Sequence, residues 1–154
     1  MKSTPSDYPT VISYLNVSDG AKAIEFYKQA FGAVERYRLT DGASGRIGHA
    51  ELEINGSVIM LSSENPAWNN KSPLTLGGTS VKIVLMVKDT DASFAQATAE
   101  GATPLMPPAD MFYGFRASAV RDPFGHEWMI QHQIEQVSAE EMQKRWDAMV
   151  KECK

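Results

Sequence analysis

The hydrophobic pattern of this chain repeats once along its length. Residues 11–19 (VISYLNVSD) match residues 81–89 (VKIVLMVKD), and in both copies apolar and polar positions alternate as they do in a strand. An aspartate suited to cap a helix ends each copy, and the apolar positions that follow have helical spacing until a glycine, Gly32 or Gly101. The pattern therefore predicts the same strand-helix unit twice.

Each predicted helix is followed by three further β-rich stretches. Asn55-Gly56 is a strong hairpin signal in the first copy, and Asp122-Pro-Phe-Gly125 predicts the corresponding turn in the second. We predict strands at 34–39, 47–54 and 58–61 in the first copy and at 103–106, 112–120 and 127–132 in the second. The chain is thus expected to be an α+β protein with two tandem β-α-β-β-β modules.

The two modules are expected to form one domain that spans the whole chain, 1–154. They occupy residues 10–62 and 80–133, and a connector rich in turn residues joins them at 63–79. A capping box that begins at Ser138 predicts a C-terminal helix at 138–151. Its apolar stripe could pack on its own domain or on a second copy of the chain.

Strand alternation assigns two faces to the predicted sheets. One face is uniformly apolar and is expected to lie under the helices as the core. The residues of the other, mixed face include Tyr14, His49, Glu51, Glu53, Met60, Lys82, Met86, Glu127 and Met129. A solvated sheet would account for Glu51 and Glu53. Four large apolar side chains on this face indicate instead that a ligand, a second module or a partner subunit covers it. They are Tyr14, Met60, Met86 and Met129.

Composition and charge narrow the class of protein. The 154 residues are 43% hydrophobic and 22% charged, which is typical of a globular unit and not of a disordered chain. A net charge of −4 without a basic stripe does not favour nucleic-acid binding. The longest apolar run, 83–87, is too short to span a membrane, and no signal-peptide pattern is visible. Cys153 is the one cysteine of the sequence, so no disulfide can form within the chain. We therefore expect a soluble, cytoplasmic protein with no membrane partner.

Several segments resemble the vicinal oxygen chelate superfamily of glyoxalases, bleomycin-resistance proteins and extradiol dioxygenases. They are Leu15-Asn-Val17, Ala23-Ile-Glu-Phe-Tyr27, Phe31-Gly32 and Asp122-Pro-Phe-Gly125. Within it, residues 49–56, 122–128 and 137–142 resemble the PhnB-like branch. The resemblance implies curved mixed sheets around a cleft, formed within one chain or between chains, and a homodimer.

The resemblance also implies where a metal would be bound. Metal-dependent members place His or Glu ligands near the start of each module's first strand and within its last strand. Here those positions are Ile12, Met60, Lys82 and Met129. None of these side chains suits a divalent ion. We therefore expect no metal and no other cofactor, although an unconventional site with His49, Glu51 or Glu127 stays open.

The sequence favours a metal-free protein that binds a small, antibiotic-like molecule. The predicted ligand-binding residues are Tyr14, Met60, Lys82, Met86, Tyr113, Arg116 and Met129. The loop at 107–114, which contains Tyr113, could act as a lid over the ligand or pack its own aromatic rings.

Two other functions are open. One is a metal-dependent or carboxylate-based lyase, isomerase or dioxygenase that acts on a small oxygenated substrate. In a carboxylate-based lyase or isomerase, Glu127 or Glu51 would be the general base. His49 or Arg116 would then stabilise negative charge, and the base would need a raised pKa. The other is a protein-interaction module with an occluded cleft.

Overall fold

Each module folds as a four-stranded mixed sheet with a helix packed on one face. A computed structural model describes residues 8–153 of the chain. The strands are β1 (Ser13–Val17), β2 (Val34–Thr40), β3 (Ile47–Ile54), β4 (Ser57–Ser63), β5 (Lys82–Met86), β6 (Thr103–Asp110), β7 (Phe115–Arg121) and β8 (Glu127–Gln133). The helices are α1 (Gly20–Phe31), the short α2 (Pro73–Leu76), α3 (Thr90–Ala99) and α4 (Ala139–Glu152), with a 3₁₀ turn at Pro66–Trp68. This order confirms the predicted α+β fold with two β-α-β-β-β units and a C-terminal helix.

The strand order is the same in both sheets. Sheet 1 runs β1-β4-β3-β2 and sheet 2 runs β5-β8-β7-β6, and in each the first pair is parallel and the others are antiparallel. Tyr14 stands opposite Met60 in sheet 1, and Val84 stands opposite Met129 in sheet 2. Met60 and Met129 therefore occupy equivalent positions, as the sequence repeat predicts.

The local signals of the sequence set the ends of these elements. Asp19 caps α1 by accepting a hydrogen bond from the Lys22 amide at 3.1 Å, and Asp89 caps α3 in the same way. Gly32 ends α1 with a φ of 67°, in the left-handed conformation that glycine adopts most easily. The Asn55-Gly56 turn has φ values of 49° and 84°, as a two-residue hairpin requires.

Two helices lie between the sheets. The buried side of α1 packs on sheet 1, and its Tyr27 and Phe31 rings contact Trp128 of sheet 2, with centroids 5.6 and 4.7 Å apart. α3 packs on sheet 2 and on α1, where the Gln96 side chain donates to the Gln29 carbonyl at 2.6 Å. One face of each sheet thus joins a common core. In the part of the chain that the structure describes, no helix packs across the other face.

The turn before β8 ties the two modules together through one buried carboxylate. Asp122, which is 3% exposed, accepts hydrogen bonds from the Tyr27 hydroxyl at 2.6 Å and from the Trp128 indole at 2.9 Å. Its other oxygen accepts the backbone amides of Phe124 and His126. The predicted Asp-Pro-Phe-Gly turn is therefore also a junction between α1 and sheet 2.

The second module departs from the prediction at its expected lid. Strand β6 continues to Asp110, and irregular pairing with β7 accommodates Pro107 and Pro108 because β6 is an edge strand. Strand β7 begins at Phe115 and not at 112. The predicted lid at 107–114 is therefore reduced to the turn at 111–114.

The C-terminal helix contacts its own chain at the turn before β7, and none of its residues is buried. Its cap, Ser138, accepts the Glu141 amide at 3.2 Å. Arg145 binds Glu135 at 2.9 Å and the Phe112 carbonyl at 3.0 Å, which holds α4 beside the turn that precedes β7. Among the described residues, no helix is both long and apolar enough to cross a membrane.

Candidate functional site

The open faces of the two sheets carry most of the residues that the sequence singled out. Across sheet 1 one row of paired residues consists of Tyr14, Met60, Glu51 and Tyr37. The open face of sheet 2 carries Lys82, Val84, Met86, Glu127 and Met129. Because α1 and α3 lie between the sheets, the two sets do not meet within one chain.

Glu51 is a buried carboxylate on the open face of sheet 1, with 1% of its surface exposed. It accepts hydrogen bonds from Tyr37 at 2.8 Å and from Tyr8 at 2.9 and 3.1 Å, and the Arg36 guanidinium lies 3.6 Å away. Burial alone would raise the pKa of Glu51, but the surrounding hydrogen-bond donors and the charge of Arg36 outweigh burial and lower this pKa. Glu51 is therefore ionised and held in place.

A β-bulge brings two consecutive side chains of β2 to this carboxylate. The ladder between β2 and β3 skips Arg36, so that Arg36 and Tyr37 both reach Glu51 and do not point to opposite faces. The Arg36 guanidinium also lies over the Tyr8 ring, 5.3 Å from its centroid. The hydrogen bond to Glu51 raises the pKa of Tyr37 to about 12.

His49 lies between Glu51 and Tyr14. Its Nε2 atom is 3.5 Å from Glu51 Oε1, and its Nδ1 atom is 3.0 Å from the Tyr14 hydroxyl oxygen. The imidazole ring is flanked by Tyr14 and Tyr37, with ring centroids 5.6 and 5.7 Å away. Tyr14 is half-exposed, so a line of polar contacts runs from the surface to the buried carboxylate.

The open face of sheet 2 is more apolar. Val84 and Met86 each expose 51% of their surface, and Met129 is paired with Val84. Glu127 binds Arg121 at 3.0 Å at one end of this face. The face therefore offers an apolar centre, with Lys82 and the Glu127–Arg121 ion pair at one end.

Two predicted ligand-binding residues lie elsewhere. Arg116 points to the side of sheet 2 that α3 covers, where it binds Asp91 and Asp110, each with a hydrogen bond of 2.8 Å. Since β7 alternates from Phe115 onward, Arg116 cannot share the open face. Tyr113 lies in the turn before β7 against Phe115, and burial raises the pKa of its hydroxyl.

Three residues around Glu51 were not predicted from the sequence. Tyr8 precedes the first strand, and the side chains of Arg36 and Tyr37 share a face only because of the bulge. Strict alternation along the strands predicts neither the contact of Tyr8 nor the bulge at Arg36. The interpretation of Glu51 as a solvated residue is wrong for the same reason, whereas Glu53 is exposed as expected.

The side chains present do not fit a divalent metal at the positions that the resemblance implies. These positions hold an alkyl group, two thioethers and an ammonium group, in Ile12, Met60, Met129 and Lys82. Nowhere else in residues 8–153 do three His, Cys, Asp or Glu side chains group in a way that could hold a metal ion. His49 and Glu51 are close together, but tyrosine hydroxyls already occupy the Glu51 oxygens.

A groove of about 480 Å³ borders Tyr14. Its other lining residues include Asn16, Lys71, Thr79, Ser80 and His126. This volume is in the range of small-molecule sites. A larger groove, of about 710 Å³, lies where α1, α3 and β5 meet, and of the predicted ligand-binding residues it includes Met86. Of the two grooves, the smaller one is linked to the buried Glu51, through the contacts of Tyr14 with His49 and of His49 with Glu51.

Comparison with known proteins gives relatives over most of the chain. An uncharacterized protein of Mycobacterium tuberculosis is 41% identical over 138 residues, which cover 88% of this chain and 81% of that protein. The solved structure of an Arabidopsis thaliana gene product has a TM-score of 0.65 at 28% identity, covering 80% of this chain and 98% of that one. TioX from Micromonospora has a TM-score of 0.62 at 26% identity, covering 84% and 100%.

The family assignment follows from a match of the sequence itself, and the fold agrees with it. Residues 9–130 match the family model of the Glyoxalase/Bleomycin resistance protein/Dioxygenase superfamily. This range covers the first module and the second module as far as the middle of β8. The chain therefore belongs to the glyoxalase/bleomycin resistance protein/dioxygenase superfamily.

Proposed function

We propose that this protein binds a small organic molecule, without a metal, in a cleft between two copies of the chain. The observation that carries the proposal is the pair of sheet faces on which no helix of the described residues packs, one polar and aromatic and the other largely apolar. In the proposed homodimer, the open face of sheet 1 lies opposite the open face of sheet 2 of the second copy. The ligand is bound between them.

The two faces are suited to different parts of one ligand. On sheet 1, Tyr14 and His49 offer hydrogen-bonding groups and ring faces. On sheet 2, Val84, Met86 and Met129 offer an apolar surface, and methionines adapt to ligands of varied shape. Large apolar groups that are contiguous on an exposed face are typical of an interaction site. Together they support binding of a molecule with an apolar body and a polar end.

We also propose a branch of the superfamily, the PhnB-like branch, and a cellular compartment, the cytoplasm. The segments that resemble PhnB-like proteins are residues 49–56, 122–128 and 137–142, and on this resemblance we propose that the chain belongs to that branch. The single cysteine of the sequence, Cys153, supports the cytoplasm, where structural disulfides are rare.

A lyase or isomerase with a glutamate base has less support. Glu51 would have to accept a proton, yet its pKa is lowered and its oxygens already accept hydrogen bonds from Tyr8 and Tyr37. Glu127 is engaged by Arg121. The raised carboxylate pKa that this mechanism requires is not found at Glu51.

Binding of 8-anilinonaphthalene-1-sulfonate, which fluoresces in apolar sites, tests the proposal. We expect saturable binding that Tyr14→Ala and Met86→Ala each weaken about tenfold, which corresponds to about 1.4 kcal/mol. These residues are 49% and 51% exposed, so their truncation is expected to leave the fold intact. Trp68→Ala is the matched control, since Trp68 is 65% exposed and lies outside both faces.

Elemental analysis of the same protein, purified without a metal-binding tag, tests the metal-free part. We expect less than stoichiometric divalent metal and the same dye affinity with and without a chelator. One metal per chain that is lost in Glu51→Gln, together with loss of binding on chelation, would contradict the proposal. Non-saturable dye binding, or equal weakening by Trp68→Ala, would contradict the cleft.

A further inference from the structure

The polar contacts that link Tyr14, His49 and Glu51 end at a carboxylate whose negative charge is stabilised by its hydrogen bonds. Glu51 is buried, and three tyrosine hydrogen bonds and one guanidinium surround its carboxylate. Hydrogen bonds to a carboxylate stabilise its charged form. Glu51 therefore acts as a fixed acceptor for any donor directed at it.

The position of His49 beside Glu51 favours one of its two neutral tautomers. The Nε2 atom faces Glu51 Oε1 at 3.5 Å, and an ionised carboxylate can only accept. The neutral imidazole is thus expected to carry its hydrogen on Nε2 and a lone pair on Nδ1. The Tyr14 hydroxyl, 3.0 Å from Nδ1, then donates to that lone pair.

Tyr14 is the residue through which this series of polar contacts reaches the surface. It is 49% exposed and borders the groove of about 480 Å³ that Asn16 and His126 also line. A donor within hydrogen-bond reach of a base, and a base oriented by a third group, is the arrangement that activates a side chain for catalysis. Here the order from the groove inward is hydroxyl, imidazole and carboxylate.

We propose that Tyr14, His49 and Glu51 form a proton relay that removes a proton from a weakly acidic organic molecule bound in the groove. In the forward step the Tyr14 oxygen accepts the ligand proton while the Tyr14 hydroxyl proton passes to His49 Nδ1. The ligand becomes an anion and His49 becomes an imidazolium that Glu51 stabilises. The reverse transfer restores the protein, so no other reactant is consumed. The ligand class is a carbon or oxygen acid, such as a carbonyl compound with an acidic adjacent C–H bond.

The residues have different roles in this relay. Tyr14 touches the ligand and is the catalytic residue, whereas His49 acts through it. Glu51 is a positioning residue that sets the tautomer of His49, and Tyr37 and Tyr8 hold Glu51 in turn. The proposal goes beyond ligand binding, which requires no proton transfer.

Ring opening of 5-nitrobenzisoxazole provides the test. A base removes its ring C–H proton, the electron pair of that bond completes a nitrile, and the N–O bond breaks to leave a coloured phenolate. We expect the intact protein to react faster than free imidazole at the same concentration. His49→Gln and Tyr14→Phe should each lower the rate about 100-fold, because the relay needs both the hydroxyl that takes the proton and the imidazole behind it. His132→Gln, a histidine bound to Thr90 on the helix side of sheet 2, should keep the rate.

Nitrogen NMR of His49 gives a readout that a purely structural role would not move. We expect the Nε2–H tautomer in the wild type and in Tyr14→Phe, and a mixture of tautomers in Glu51→Gln. A His49→Gln rate equal to that of the wild type, a Tyr14→Phe rate equal to that of the wild type, or an Nδ1–H tautomer would overturn the relay. The same holds if the wild type reacts no faster than imidazole. Dye binding by His49→Gln shows separately whether the cleft still binds a ligand.

Discussion

Glu51 and Glu53 lie two residues apart on the same face of β3, and they differ in almost every property. Glu51 is 1% exposed and receives hydrogen bonds from Tyr8 and Tyr37, whereas Glu53 is exposed. Strand position alone does not distinguish the two residues. The bulge at Arg36 does, because it directs two side chains of β2 to one carboxylate and none to the other.

The titration of Tyr37 reports directly on this carboxylate. Its pKa is raised to about 12 because the hydroxyl hydrogen-bonds to Glu51. In Glu51→Gln, we expect the Tyr37 pKa to fall toward the ordinary tyrosine value of about 10. Carbon NMR of the Tyr37 ring against pH measures the shift, and Glu53→Gln is the control that should leave it unchanged. Wild-type Tyr37 titrating at the ordinary value would show that the contact is not formed.

A second residue-scale prediction concerns Asp122, the buried junction of the two modules. Tyr27→Phe removes one of its four donors and leaves a buried carboxylate with one hydrogen bond fewer. We expect the free energy of unfolding to fall by about 1.5–3 kcal/mol, as for hydrogen bonds to charged groups. Urea unfolding measures the change. Tyr113→Phe, in the turn before β7, should change stability by less than about 0.5 kcal/mol.

At the scale of elements, periodicity and capping residues were sufficient to predict both modules. Asp19 and Asp89 cap the helices where expected, and the Asn55-Gly56 turn joins β3 to β4. The prediction was wrong where the edge strand β6 contains Pro107 and Pro108. Proline usually indicates a loop, and only the absence of a partner strand on the outer side of β6 permits it there.

The first turn of α1 shows how closely this helix lies on sheet 1. A Cβ atom at Gly20 would stand 2.6 Å from Ile47 Cβ and 2.8 Å from Ser63 Oγ, which accepts the Gly20 amide. We therefore expect Gly20→Ala to lower the free energy of unfolding by about 1–3 kcal/mol, although alanine favours helix. Gly42→Ala is the control, because a methyl group at that position would have no neighbour within 4 Å. Equal thermal stability of the two variants would contradict this packing.

At the scale of the whole molecule, several carboxyl groups with lowered pKa values make the free energy of unfolding depend on pH. Besides Glu51, the pKa of Glu35 is lowered by Arg38, and that of Glu64 by hydrogen bonds from the Ser72 amide and Thr75. A carboxyl group with a lowered folded pKa stabilises the fold above its unfolded pKa of about 4.3 and loses that contribution as pH falls.

The acid dependence of unfolding tests this sign. We expect the urea midpoint of the wild type to fall steadily below about pH 4.3, and the fall to be smaller in Glu51→Gln. Glu53→Gln, on the same strand but exposed, should follow the wild type. A fall of equal size in Glu51→Gln would mean that Glu51 carries no lowered pKa.

The sequence predicted the fold of the whole molecule better than its candidate site. Alternation placed Tyr14, His49 and Met60 on one face and Met86 and Met129 on the other module's equivalent face, as the structure confirms. It could not show that α1 and α3 separate these faces, because helix-to-sheet packing across the duplication is a tertiary property. Alternation also failed to predict the face on which Arg116 lies. That face depends on where β7 begins, which is Phe115 and not the predicted residue 112.

The central claim is that the open faces of two copies enclose the ligand cleft. Val84 is half-exposed in one chain, so Val84→Asp should leave the fold intact but place a charge in the proposed interface. Trp68→Asp is the control, because it adds the same charge at a residue that is 65% exposed and lies outside both faces.

Sedimentation equilibrium, with dye binding on the same samples, measures the outcome. We predict twice the 17.0 kDa chain mass for the wild type and Trp68→Asp, and a 17.0 kDa species without saturable dye binding for Val84→Asp. A wild type that sediments at 17.0 kDa at every concentration and still binds the dye would contradict the claim.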